Sequence, residues 1–116
     1  MATLRPPWDL LYEKDPEMSR YHDELDSLVF SDGHLSKKVK LLIAMAIDST
    51  LGAERGVPVY AGRAREAGAT DEEIFEAVRV ASLLGGTRGQ TTALRGLGRP
   101  DAKKVEVSCS LKKTGK

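Results

Sequence analysis

The chain holds one cysteine, Cys109, so it has neither an intrachain disulfide nor a multi-cysteine metal site. Two isolated histidines, His22 and His34, do not form a ligand cluster, so neither a metal nor a cofactor is expected. Aromatic residues make up only 5% of the chain, which leaves the core to Leu, Ile, Val, Ala and Met. An excess of one charge is also missing. The 18 basic residues balance 17 acidic ones, which argues against nucleic acid or a membrane surface as the partner. The longest uninterrupted apolar stretch, residues 41–47, is too short to span a bilayer, and residues 1–7 contain no signal-peptide run. Together these absences predict a cytoplasmic globular protein. At 116 residues it has room for one core, and small helical domains of this size often complete themselves by self-association.

What is present is mostly helix punctuation. Residues 1–14 carry Trp8, Leu10, Leu11 and Tyr12 without a clear period and read as an N-terminal arm. Asp15-Pro16-Glu17 opens a helix: Asp15 as N-cap, Pro16 at the first helical position, Glu17 beside the positive dipole end. Met18, Tyr21, Leu25, Leu28 and Val29 follow at helical spacing and predict one buried face. Ser36 caps a second helix that runs to about Leu51, and its middle, residues 41–47, is apolar all round. Such a helix is surrounded by protein, at the centre of either the domain or an oligomer.

A loop at residues 52–56 separates this helix from a third, with Pro58 in its first turn and Gly68 at its end. Thr70-Asp71-Glu72-Glu73 is a capping box and starts a fourth helix, with Ile74, Ala77, Val78, Ala81 and Leu84 on one face. Gly85-Gly86 is expected to end it. A short fifth helix over residues 90–97 is weakened by Gly89, Gly96 and Gly98. Beyond Pro100, Val105, Val107, Cys109 and Leu111 alternate with polar residues, as a strand or within a disordered basic tail. The resulting division is an arm at 1–14, a helical domain at 15–99 and a basic tail at 100–116.

Within residues 35–86 a set of short motifs keeps a fixed register. They are Leu35-Ser36-Lys37-Lys38, Leu42-Ile43-Ala44-Met45-Ala46, Ala64, Ala67-Gly68-Ala69-Thr70-Asp71-Glu72-Glu73-Ile74 and Gly85-Gly86. On these residues the chain resembles the carboxymuconolactone decarboxylase and alkylhydroperoxidase-D family. The resemblance implies an all-α domain of five to six helices and a homo-oligomer, trimeric or hexameric. Peroxidatic members of that family carry a glutamate, eleven residues, Cys-x-x-Cys, three residues and a histidine. Counted onto this chain, the cysteines fall on Ala53 and Gly56, the histidine on Tyr60 and the glutamate on Leu41. None of the four can do the original work, and Pro58 is expected to shift the third helix away from the thiol positions. Dithiol peroxidase activity is therefore not expected at this site.

The candidate pocket comprises Asp48, Glu54, Arg55, Tyr60 and Arg63. Asp48 stands two helical turns after Leu41, on nearly the same face. It reads as a displaced general base or ligand contact, or as a partner of Arg55 or of free N–H groups on the third helix. Tyr60 reads as a hydrogen-bond donor to an oxyanion or as packing. Glu54, Arg55 and Arg63 read as holders of a small carboxylate ligand such as a lactone acid, or as solvated charge. Cys109 is a replacement redox thiol or an inert one. Three functions follow, in order: a redox-inactive binding or scaffolding module, a cofactor-free decarboxylase or isomerase of a small carboxylate or lactone, and a peroxidase.

Overall fold

A computed structural model of the chain describes residues 8–98. They form five helices: α1 (Trp8–Lys14), α2 (Pro16–Phe30), α3 (Lys37–Leu51), α4 (Gly56–Glu66) and α5 (Asp71–Leu97). No strand occurs among the described residues, as an all-α fold requires. None of the helices is long and apolar enough to cross a membrane. The alternation at 105–111, the basic tail at 100–116 and Cys109 lie outside the described residues. The chain divides into two compact units, Met1–Asp32 and Gly33–Lys116.

In the first unit, the end of the expected arm is helical. α1 packs on α2, and the Trp8 ring stacks on His22 with centroids 4.5 Å apart. His22 is thereby half-buried, although its charged sequence surroundings predict exposure. Asp15 caps α2, its Oδ1 accepting from the Met18 N–H at 3.1 Å. The expected buried face of α2 is not buried: Met18, Tyr21, Leu25, Leu28 and Val29 are all exposed, and Ser19 alone is buried. The helix that packs on α2 here, α1, has only seven residues, too few to cover four turns.

In the second unit α3 packs against both α4 and α5, and α4 also meets α5. Ser36 caps α3, its Oγ accepting from the Val39 N–H at 3.1 Å. Leu41, Met45 and Ser49 face the core, and the Ser49 hydroxyl donates to the Met45 carbonyl at 2.9 Å. From the other side come Val57, Ala61 and Ala64 of α4 and Ile74, Val78, Ala81, Ala93 and Leu97 of α5. The small residues let the three helices approach closely.

The helix expected to stop at Gly85-Gly86 continues instead, with one break. Gly86 has φ 64° and ψ −157°, a conformation open essentially to glycine, and it kinks α5 without ending it. Leu83 and Leu84, just before the kink, are 82% and 76% exposed, so Leu84 leaves the face it was expected to share with Ile74.

The capping box forms as its residues predict. The Glu73 N–H donates to Thr70 Oγ1 at 3.1 Å and the Thr70 N–H to Glu73 Oε1 at 3.0 Å. Lys38 of α3 adds an ion pair to Glu73 at 3.0 Å. The hydrogen bond from the Thr70 backbone, and then that from Lys38, hold the Glu73 carboxyl below its ordinary 4.5. A carboxyl lowered on folding stabilises above its unfolded pKa and loses that contribution as pH falls through the folded value. Glu73→Gln should therefore lower stability at neutral pH and flatten the acid limb of a stability-against-pH curve below about pH 4.5, with the two proteins converging in acid.

Candidate functional site

The candidate site lies where α3 hands over to α4. α3 ends at Gly52, in the left-handed region at φ 80°, whose N–H bonds to the Asp48 and Ser49 carbonyls. Four residues later α4 begins at Gly56 with Arg55 as N-cap and no side-chain cap. Pro58 therefore does not push the helix start away. It takes the third helical position, where its missing N–H costs no intrahelical bond. Ala53 and Gly56 thus still flank the head of α4, as the family register implies.

Gly52, Ala53, Glu54, Arg55 and Gly56 line a shallow cleft of about 500 Å³. Of the five residues expected to form a pocket, Glu54 and Arg55 line this cleft, and Asp48 abuts it through Gly56. Tyr60 and Arg63 lie further along α4 and face each other, with the guanidinium 5.7 Å from the ring centroid. Leu41, at the glutamate position, is completely buried in the core.

Asp48 makes neither of the contacts that would have made it structural. Among the described residues its carboxylate has no hydrogen-bond or ion-pair partner, neither Arg55 nor an N–H of α4. It lies against the α carbon of Gly56, where a Cβ would overlap Oδ2 and come within 2.9 Å of Cγ. Partial burial, with no charge to offset it, pushes the Asp48 carboxyl above its ordinary 3.8.

Arg88 is the site residue that the sequence does not disclose. It reaches back from the second half of α5 and donates from Nη2 to the Leu51 carbonyl at 2.7 Å. Its guanidinium lies over Gly52, 2.9 Å from where a Cβ would stand. A cation at the last carbonyls of a helix offsets the negative dipole end there. The two residues are 37 positions apart, and the kink at Gly86 intervenes between Arg88 and the first half of α5. No local pattern announces such a contact.

These features define a small all-helical domain, built on one central apolar helix, with its candidate site at a helix–helix turn. The chain belongs to the carboxymuconolactone decarboxylase family, whose sequence profile matches residues 16–97. Among curated proteins it is similar to uncharacterised protein 4 of the cox locus of Paracoccus denitrificans. The match is 40% identical over 60 residues, 52% of this chain and 54% of that protein. The chain therefore spans about half the length of that relative.

Two solved proteins share the fold. One is an apo-form carboxymuconolactone decarboxylase family protein from Legionella pneumophila, at TM-score 0.72 and 27% identity, covering 77% of this chain and 80% of that one. The other is a Thermotoga maritima protein of the same family, for which a role in antioxidative response has been suggested. One of its crystal structures gives TM-score 0.66 and 28% identity, covering 84% of this chain and 96% of that one. A second gives TM-score 0.70 and 27% identity over 92% and 89%.

Proposed function

We propose that this chain is a self-associating member of its family that works without dithiol chemistry, as a binding or scaffolding module. The observation that carries the reading is the outer face of α3. Val39, Ile43, Ile47 and Leu51 recur every fourth residue and are 37%, 44%, 50% and 63% exposed. The sequence of α3 asks for protein on every side, and its own unit supplies only one. Met45, on the opposite face, is fully buried within the chain. The stripe is what remains for a second copy. A homo-oligomer, trimeric or hexameric, is the assembly proposed.

The absence of a thiol pair supports the redox-inactive part of the reading. With one cysteine, the chain has no resolving partner for an oxidised thiol within itself. Peroxide consumption with a dithiol reductant should stay at the no-enzyme rate and be unaffected by Cys109→Ser. Turnover abolished by that substitution would favour the peroxidase reading and end this one.

A second reading rests on Asp48. A half-buried carboxyl without a partner, pushed up by burial and bordering a cleft, is suited to proton transfer. Beside it, Arg55 and the uncapped head of α4 favour a small carboxylate or lactone as the ligand. On this reading the chain is a cofactor-free decarboxylase or isomerase. Its test is carbon dioxide release or isomerisation across a panel of small lactone acids. Activity lost in Asp48→Asn supports it, and a panel without turnover counts against it.

A further inference from the structure

We propose that Gly56 is a positioning residue for Asp48: by lacking a side chain, it leaves open the space at the head of α4 that the Asp48 carboxylate fills from α3. The two positions form one unit, in which the side chain absent from α4 is replaced by one delivered from the neighbouring helix. The inference deepens the reading of Asp48 as the acid of the site, and it rests on that reading only for its functional meaning.

Three observations meet at this point. A Cβ on Gly56 would overlap Asp48 Oδ2 and stand 2.9 Å from Cγ and 3.7 Å from Cβ. Real Cβ contacts essentially never fall that close, so any residue but glycine displaces the carboxylate. The backbone does not explain the glycine, because Gly56 is the first residue of α4 and is not among the positive-φ glycines. The cleft lined by the 52–56 loop opens beside the same atoms, so a carboxylate held there is presented to whatever enters.

The charged and titratable groups around the turn do not hold Asp48 in place. Glu54 and Arg55 belong to the loop, Tyr60 and Arg63 to α4, and Arg88 of α5 is committed to the Leu51 carbonyl. Asp48 is paired with none of them among the described residues. Its place is set by shape: the vacancy at Gly56 admits it, and the packing of α3 on α4 keeps it there.

The test is a carboxyl titration of Asp48 by carbon-detected NMR in the full chain and in Gly56→Ala. In the wild-type protein Asp48 should titrate above 3.8. In Gly56→Ala the new methyl should push the carboxyl toward water and bring its titration down to about that ordinary value. The effect on folding should be small, because the displaced atoms are the end of a side chain. An Asp48 titration that is the same in both proteins overturns the proposal. Should Gly56→Ala fail to fold, Gly56→Ala combined with Asp48→Ala decides: recovered folding supports the pairing, and a double variant that also fails overturns it. The readout is placement alone. A well-placed Asp48 that turns over no substrate would uphold this inference while removing the catalytic reading.

Discussion

Asp71→Asn should destabilise the protein by about 3–5 kcal/mol, a third or more of the stability of a typical domain. Asp71 opens α5, and Arg65, near the end of α4, pairs with it through Nη1. The side chains are only 12% and 26% exposed, so this is not a surface ion pair. Arg65 Nε and Nη2 are buried without hydrogen-bond partners, which leaves Asp71 as the counter-charge to a guanidinium already short of acceptors. Asparagine keeps the shape and removes the charge, stranding the cation. The reverse substitution should behave differently. Arg65→Met removes the cation together with its unmet donors, and leaves a carboxylate at the head of a helix where the dipole favours it. It should cost less than about 1.5 kcal/mol. Urea unfolding at matched protein concentration reads both, and equal costs would show that the pair is not the source of the effect.

Ile43→Asp should dissociate the proposed oligomer while leaving the fold intact. In the single chain Ile43 is on the outer face of α3, away from Leu41 and Met45, and 44% exposed. A substitution at such a position normally moves stability by no more than about 0.5 kcal/mol. In the proposed assembly a second copy would cover the same residue, and a carboxylate buried there without a partner would cost about 3 kcal/mol or more. That corresponds to roughly a hundredfold weaker association for each contact. Sedimentation should show the variant as a monomer with an unchanged helical circular dichroism spectrum. A variant that associates like the wild type would place the subunit contact elsewhere.

What the sequence made legible was local. Asp15, Ser36 and the Thr70–Glu73 box each place an oxygen within three residues of the N–H it accepts, so a single turn of helix decides the contact. The middle of α3, apolar all round, asks for protein on every side, and within the chain Leu41 and Met45 receive it. Features that depend on distant neighbours were not legible. Periodicity marks which residues seek cover without saying what covers them, and so the outer stripe of α3 and the apolar residues of α2 are exposed in the chain.

The glycines likewise take their meaning from distant neighbours. Gly85-Gly86 reads as a helix end, yet only Gly86 leaves helical geometry and the chain resumes its helix beyond it. Gly56 reads as a lost thiol position, whereas its meaning depends on Asp48, eight residues earlier in the chain. At the candidate site Glu54 and Arg55 line the cleft and Asp48 lies against Gly56, while Arg88 reaches Leu51 from a helix that no local pattern connects to it. Tyr60 and Arg63 lie further along α4 and face each other.

The bare face of α3 is proposed to be covered by further copies of the same chain. Light scattering of the purified full chain, coupled to size exclusion, tests it most directly. The expected mass is three or six times the 12.6 kDa of one chain, steady across a wide concentration range. A single species at 12.6 kDa throughout that range would contradict it.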